Sequence, residues 1–343
     1  MKRKTLIFFL QVLPVLLLRA QTPAVDPHWQ LVWEDNFNTL NTSIWLVQNH
    51  FDHYGGEPQV YTSRPDNVFV SGGNLVLRAR RETYSCPPGS VNEWGCARQY
   101  NTGQPYSFTS GYVETKQAYN TQYGYMEAHI QMPHAVGYWP AFWTFVGPGL
   151  PSNVNAAEID IFEMLGHLPA SVSTTNIHRG YGPGEPDYYQ ELVPTGFNYT
   201  SWHTYSVEWS PSKIIWYIDG VPSRLLPDHG IVDPVRLILN FALEPWTPPT
   251  ASTPFPADML IDYVRVYKLR NDCNTSIINA CGYNFATHDN RVKKEIILGN
   301  GSCVNSLNAT DKVHMRATDG ILINGDFTVP VGAELYLDVN PCN

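Results

Sequence analysis

Charge is scarce in this 343-residue chain. Asp, Glu, Lys and Arg make up 15% of it, against roughly 25% in ordinary soluble domains. The formal net charge is −9. A general nucleic-acid binder is excluded, because phosphate contacts need concentrated cations. Beyond the first twenty residues no apolar run approaches the length of a membrane span. Long helical periodicity is missing, and 27 Pro disfavour helices. No CxxC or His-x3-His spacing is present, which argues against zinc. No internal repeat of 20–50 residues is visible. Trp is absent after Trp246, although the chain holds ten.

What is there is apolar and aromatic. Hydrophobic residues at 43% support a large core, and aromatics reach 13%, with 20 Tyr. Few charges and many rings suit a neutral, ring-shaped ligand that stacks on aromatic faces. Residues 1–20 read as a secretory signal: Lys2, Arg3 and Lys4, then an apolar stretch from Leu6 to Leu18, then Arg19-Ala20-Gln21. Cleavage after Ala20 removes four cations and takes the charge from −9 to −13. The mature protein is expected outside the cell or at its surface, without a membrane span. Secretion permits disulfides. Cys86–Cys96 is the parsimonious local pair, whereas Cys273, Cys281, Cys303 and Cys342 allow three connectivities.

From Trp29 to Leu269 short β-runs alternate large apolar with polar residues. Examples are Asn74-Leu-Val-Leu-Arg-Ala-Arg80, Gly124-Tyr-Met-Glu-Ala-His-Ile-Gln131 and Thr204-Tyr-Ser-Val-Glu-Trp209. Ser71-Gly72-Gly73 and Asp219-Gly220 are tight-turn signals. The pattern predicts an all-β sandwich or barrel over residues 28–269. The loss of Trp and the gain of Cys place a boundary near Leu269–Asp272. Residues 272–343 then form a small Cys-containing β module, with runs at Glu295–Leu298, Lys312–Ala317, Gly320–Ile323 and Leu335–Val339. That module holds no cluster of carboxylate, His and nucleophile, and it reads as a binding, spacing or attachment unit.

The chemistry concentrates in Glu158-Ile159-Asp160-Ile161-Phe162-Glu163, three acids in six positions of an apolar run. Burying carboxylates is costly unless they are paired, protonated or used. In a regular strand Glu158 and Asp160 share a face and Glu163 points away. One β-bulge returns Glu163 to their face. Three carboxyls in a row suit glycoside hydrolysis, in which one attacks the anomeric carbon and a protonated partner donates to the leaving oxygen. At strand rise the Cα atoms of Glu158 and Glu163 lie roughly 13 Å apart, and two Glu side chains leaning inward close most of that gap. A solvent-exposed acidic strand and a calcium site are the alternatives that these residues alone leave open.

The hexapeptide resembles the bulged catalytic motif of family-sixteen glycoside hydrolases, in their laminarinase-like group. The likeness extends to Trp29-Gln-Leu-Val-Trp33, Gly56-Glu57-Pro-Gln59-Val-Tyr61, Thr109-Ser-Gly-Tyr-Val-Glu-Thr-Lys116, Gly137-Tyr-Trp139-Pro-Ala-Phe-Trp143 and Ile261-Asp262-Tyr-Val-Arg-Val-Tyr267, in family order over about 240 residues. The resemblance implies a β-jelly-roll sandwich with an open cleft and retaining endo-hydrolysis of a β-linked polysaccharide. A β-1,3- or mixed β-1,3/1,4-glucan comes first, a galactan of agarase or carrageenase type second. A glucan-binding protein without turnover is the rival from another class, and the intact acids argue against it. The resemblance assigns Glu158 as nucleophile, Glu163 as general acid/base and Asp160 as the group that orients the nucleophile. It places Trp139 and Trp143 as sugar platforms, with Glu57, Gln59 and Arg80 as hydroxyl partners and His178 near the cleft. Arg80 equally suits a structural ion pair, and Gly55-Gly56 replaces the family's usual Asn-Asn before Glu57. Trp94, inside the Cys86–Cys96 loop, is a candidate platform at an outer subsite. No cofactor is required for the chemistry. A structural calcium is implied through Asp262, the Gly73 carbonyl and Asn36, where Asn stands for the usual acid. The expected partner is the polysaccharide itself, bound by a monomer. The tail resembles small C-terminal β modules of secreted bacterial proteins, in Met315-Arg-Ala and in Val331 to Cys342.

Overall fold

The strand Val235–Leu243 carries the logic of the fold. Val235, Leu237, Leu239, Phe241 and Leu243 are buried in the main core, while Ile238 and Ala242 belong to a separate apolar cluster on the other face. Period-two alternation thus gives one strand two different surfaces. The computed structural model describes Pro23 and residues 28–49, 56–87, 105–146, 157–179, 187–188, 191–194, 196–211, 213–227, 229–285, 288 and 291–339.

Two sheets pack face to face. A ten-stranded sheet runs in the order Val221–Pro227, Lys213–Ile218, His203–Trp209, Gly124–Gln131, Ala257–Leu269, Asn74–Tyr84, Tyr106–Ser110 and Gln59–Tyr61, with Trp29–Asp35 and Val68–Ser71 pairing beside it. An eight-stranded sheet runs Asp187–Tyr188, Val172–Arg179, Ala157–Glu163, Tyr138–Val146, Val235–Leu243, Tyr112–Thr115 and Trp45–Val47, with Glu191–Pro194 beside it. The core between them includes Trp45, Leu77, Met126, Phe142, Phe162, Trp209, Trp216 and Phe241. This is the expected all-β sandwich. The two turn signals close hairpins through paired left-handed residues, Gly72 and Gly73 at φ 61° and 77°, Asp219 and Gly220 at φ 51° and 72°.

Pairing changes at Arg270. The strand ending at Leu269 belongs to the ten-stranded sheet, whereas Asn271–Asp272 pairs with Val292–Leu298 in a separate five-stranded sheet. There Val292–Leu298, Lys312–Ile323 and Glu334–Val339 lie side by side in parallel, as do Val304–Ser306 and Asp326–Thr328. The two expected runs Lys312–Ala317 and Gly320–Ile323 are one strand, continuous through Gly320 at φ 157°. Ile296 faces Ile321, Leu298 faces Ile323 and Val304 faces Asp326, so successive turns of chain stack on one another. The steps from strand to parallel strand are of unequal length, so no period stands out in the sequence. Cys281 and Cys303 are bridged, with Cα atoms 5.6 Å apart. Cys86 and Cys273 are also disulfide-bonded, and Cys96 and Cys342 lie outside the described residues.

Candidate active site

The acidic strand Ala157–Glu163 contains a bulge. Its register against Tyr138–Val146 shifts between Asp160 and Phe162, and against Val172–Arg179 between Asp160 and Glu163. Ile159, Ile161 and Phe162 are all in the main core. Two consecutive residues facing inward leave Glu163 on the same surface as Glu158 and Asp160. The apolar side chains cause this: turning Phe162 out to regularise the strand would expose a ring that is 1% accessible.

The three carboxyls are buried, at 4% for Glu158, 2% for Asp160 and 8% for Glu163. Glu163 accepts from Trp139 Nε1 at 2.8 Å, from Thr174 Oγ1 at 3.3 Å and from Asn176 Nδ2. Asp160 is hydrogen-bonded to Asn176 and Glu158, while Trp216 Nε1 donates to its backbone carbonyl at 2.9 Å. Burial, and then the nearby Glu163 charge, push the Asp160 pKa well above the ordinary carboxylate range.

Strand register sets the rest of the floor. Asp160 lies opposite Trp143, and Trp143 opposite Ile238; Glu158 lies opposite Phe145, and Phe145 opposite Arg236; Glu163 lies opposite Ala141, and Ala141 opposite Asn240. Trp143 Nε1 donates to Asn240 Oδ1 at 2.8 Å, and Asn240 Nδ2 to Tyr61 OH at 2.8 Å. Trp143 is therefore 5% exposed and fixed, whereas Trp139 is half-buried against Trp246, ring centres 4.7 Å apart. Trp246 is 55% exposed, an open aromatic face beside Glu163's partner. Thr174, Asn176, Asn240 and Trp246 join the site without being among the residues that the sequence motifs single out. Thr174-Thr-Asn176 is a run of consecutive polar residues, a weak signal, and the others depend on register.

The remaining candidates fall in different places. Gln59 donates to Glu57 and accepts from Leu243 N at 3.0 Å, so both ends of its amide are used inside the protein. Arg80 lies 3.6 Å from Glu82, which is also bound by Arg64 and by Thr109 Oγ1 at 2.5 Å. It belongs to that ion-pair network, away from the three acids' partners. The backbone of His178 pairs with Glu158 on the neighbouring strand. Trp94 lies outside the described residues. Asp262 sits at the bulge between Ile261 and Tyr263, with one carboxylate oxygen 3.0 Å from His129 Nδ1. Asn36 is exposed, and Gly73 lies in the adjoining hairpin turn. Their oxygens are hard donors of the kind calcium takes, but only one is charged. Among the described residues no group of three or more His, Cys, Asp or Glu gathers in metal-binding geometry.

A buried row of three acids on one face of a β-sandwich sheet, with an indole and amide donors bonded to it, has the groups a glycoside hydrolase needs. The chain belongs to Glycosyl hydrolases family 16, whose profile matches residues 57–247, and it is a glycoside hydrolase. It is 30% identical over 270 residues to a beta-glucanase of Rhodothermus marinus, across 71% of this chain and 86% of that protein. It is 30% identical over 275 residues to glucan endo-1,3-beta-glucosidase A1 of Niallia circulans, spanning 69% of this chain but only 38% of that longer protein. The laminarinase catalytic domain of Thermotoga maritima superposes with a TM-score of 0.58 at 30% identity, over 71% of this chain and 99% of that one.

Proposed function

We propose that this protein is a secreted, retaining endo-β-glucanase acting on β-1,3- or mixed β-1,3/1,4-glucan. The observation that carries the reading is the bulge that aligns Glu158, Asp160 and Glu163 on one sheet face. The named activities of the beta-glucanase and laminarinase relatives supply the substrate class.

In the first step a Glu158 oxygen attacks the anomeric carbon and the glycosidic C–O bond breaks. Glu163 gives its proton to the departing oxygen, and a glycosyl ester on Glu158 remains. In the second step Glu163, now a carboxylate, takes a proton from water as the water oxygen attacks the anomeric carbon and frees Glu158. Asp160, hydrogen-bonded to Glu158, fixes the orientation of the nucleophile; its role is positioning. Trp139, bonded to Glu163, orients the acid while presenting its ring toward Trp246. The reaction needs no cofactor. Calcium, where bound through Asp262, the Gly73 carbonyl and Asn36, serves stability, and chelation should lower the melting temperature without changing the chemistry.

Reducing-sugar release from laminarin, lichenan, agarose and carrageenan, measured side by side, tests the substrate. Glucans should be cut and galactans left; the reverse order overturns the assignment. Proton NMR of the first products should show the β anomer, and early α anomer refutes retention. The N-terminus of the exported protein should begin at Gln21.

A further inference from the structure

Across the cleft floor from the acids stands an ion pair that the chemistry above does not use. Arg236 Nε lies 3.2 Å from Glu114 Oε2, and Gln48 Nε2 donates to Glu114 Oε1 at 3.0 Å. Tyr112 OH lies 3.4 Å from Glu114 Oε2. Glu114 is 5% exposed. The Arg236 side chain is 16% exposed, and its buried Nε has no hydrogen bond in acceptable geometry. A guanidinium carries five donors in a fixed fork, more than the Glu114 carboxylate takes, so the part-exposed outer N–H groups of Arg236 can donate to a ligand. Something else is expected to accept from this group.

Its position identifies that acceptor. Arg236 is opposite Phe145, which is opposite Glu158, so it lies two strand spacings, about 10 Å, from the acidic strand along one cross-strand row. Phe145, 5.5 Å from the guanidinium, fills the step between them. The same floor carries Tyr112, which feels the charges of Glu114, Arg236 and Glu158 together. A chain lying over the scission point and running across the strands would therefore meet Arg236 beyond the sugar being cleaved.

Glu114 decides the kind of group Arg236 receives. A carboxylate beside the guanidinium offsets its charge, and the three acids lie along the same surface. An anionic substituent would face that negative field, whereas neutral hydroxyls gain donors at little electrostatic cost. We propose that Arg236, backed by Glu114 and Gln48, is a specificity-determining residue that donates hydrogen bonds to hydroxyls of a neutral glucan unit at an outer subsite. The proposal rests on the glucanase reading given above.

The test compares wild type, Arg236→Met and Arg236→Lys on laminari-oligosaccharides of increasing length, with melting temperatures recorded. Loss of a charge-assisted hydrogen bond predicts KM roughly tenfold higher on long chains for Arg236→Met. The increase should be smaller on the shortest substrates, and kcat should move less than KM. Arg236→Lys keeps the charge but loses the fork, so it should show a weaker effect with the same length dependence. It also decides the matter if the Met variant fails to fold. An equal KM increase at every length, or none in a folded variant, overturns the proposal. So does a selective loss on carrageenan, which would make Arg236 an anion site. If wild type cuts no glucan, the glucanase reading fails first, which separates the two outcomes.

Discussion

The sandwich and the tail are both built of strands, yet they use them differently. In the sandwich nearly every pairing is antiparallel, and the central strands of the eight-stranded sheet offer one face to the main core and the other to the surface that carries the acids. That second face is where charged and aromatic side chains collect. In the tail the stacked turns are parallel and enclose a thin core of Phe285, Ile296, Leu298, Leu307, Val313, Met315 and Ala317. Its outer surface leaves Val304, Leu322, Leu337 and Val339 about half exposed. So small a core gains from the Cys281–Cys303 bridge. One region can hold a reactive site because its core lies elsewhere; the other spends its apolar residues on holding together.

The tail nevertheless does not hang free. The outer face of the ten-stranded sheet carries Trp29, Tyr125, Tyr217 and Tyr267, and Val292 of the tail completes their cluster. Arg316, 5% exposed, lies over the Trp29 ring and 3.8 Å from both Glu208 and Asp338. His28 Nε2 is 2.7 Å from the His314 carbonyl, and Lys213 is 3.4 Å from Asp338. A module expected as a binding, spacing or attachment unit is also packed against the outer face of the ten-stranded sheet, the sheet that does not carry the acids.

The contrast between a chemical face and a structural one can be broken from either side. The largest effect is expected at the cleft: Glu158→Gln should lower kcat by several orders of magnitude while the melting temperature stays within a few degrees of wild type. Near wild-type turnover would remove the carboxylate mechanism. Next comes deletion of residues 272–343. Exposing Trp29, Tyr125 and Tyr217 should forfeit about 3–6 kcal/mol and lower the melting temperature by roughly ten degrees. Turnover of a short oligosaccharide well below that temperature should persist. An unchanged melting temperature would mean that the docking contributes nothing.

Arg316→Met sharpens the same boundary. It removes the cation that lies near Glu208 and Asp338, leaving Glu208 the Tyr217 hydroxyl, and a loss of about 1–3 kcal/mol should appear in urea unfolding with kcat unaltered. The smallest effect concerns Asp160. Its pKa is raised in the folded state, so the native protein holds more protons than the unfolded chain above pH ~4, and stability falls as pH rises through that window. Asp160→Asn should therefore melt a few degrees higher than wild type at neutral pH, with the gap closing toward pH ~4, while activity drops. A less stable variant at neutral pH would show that the buried acid is not a destabilising group.

The sequence alone determined the fold class and the acidic row, for a physical reason. Alternation is local, and three acids in an apolar strand are so unfavourable that only a bulge and a use reconcile them. Both hairpin turns were legible because two consecutive left-handed residues demand Gly or Asp. Partners brought together by register were decided only by the tertiary structure. Asn176 and Thr174 reach Glu163, Asn240 reaches Trp143, and Glu114 meets Arg236 across strands far apart in sequence. The parallel stacking of the tail was decided there too. A strand's own residues state which face is apolar, but not which neighbour it will take or in which direction, because that depends on where the intervening chain returns.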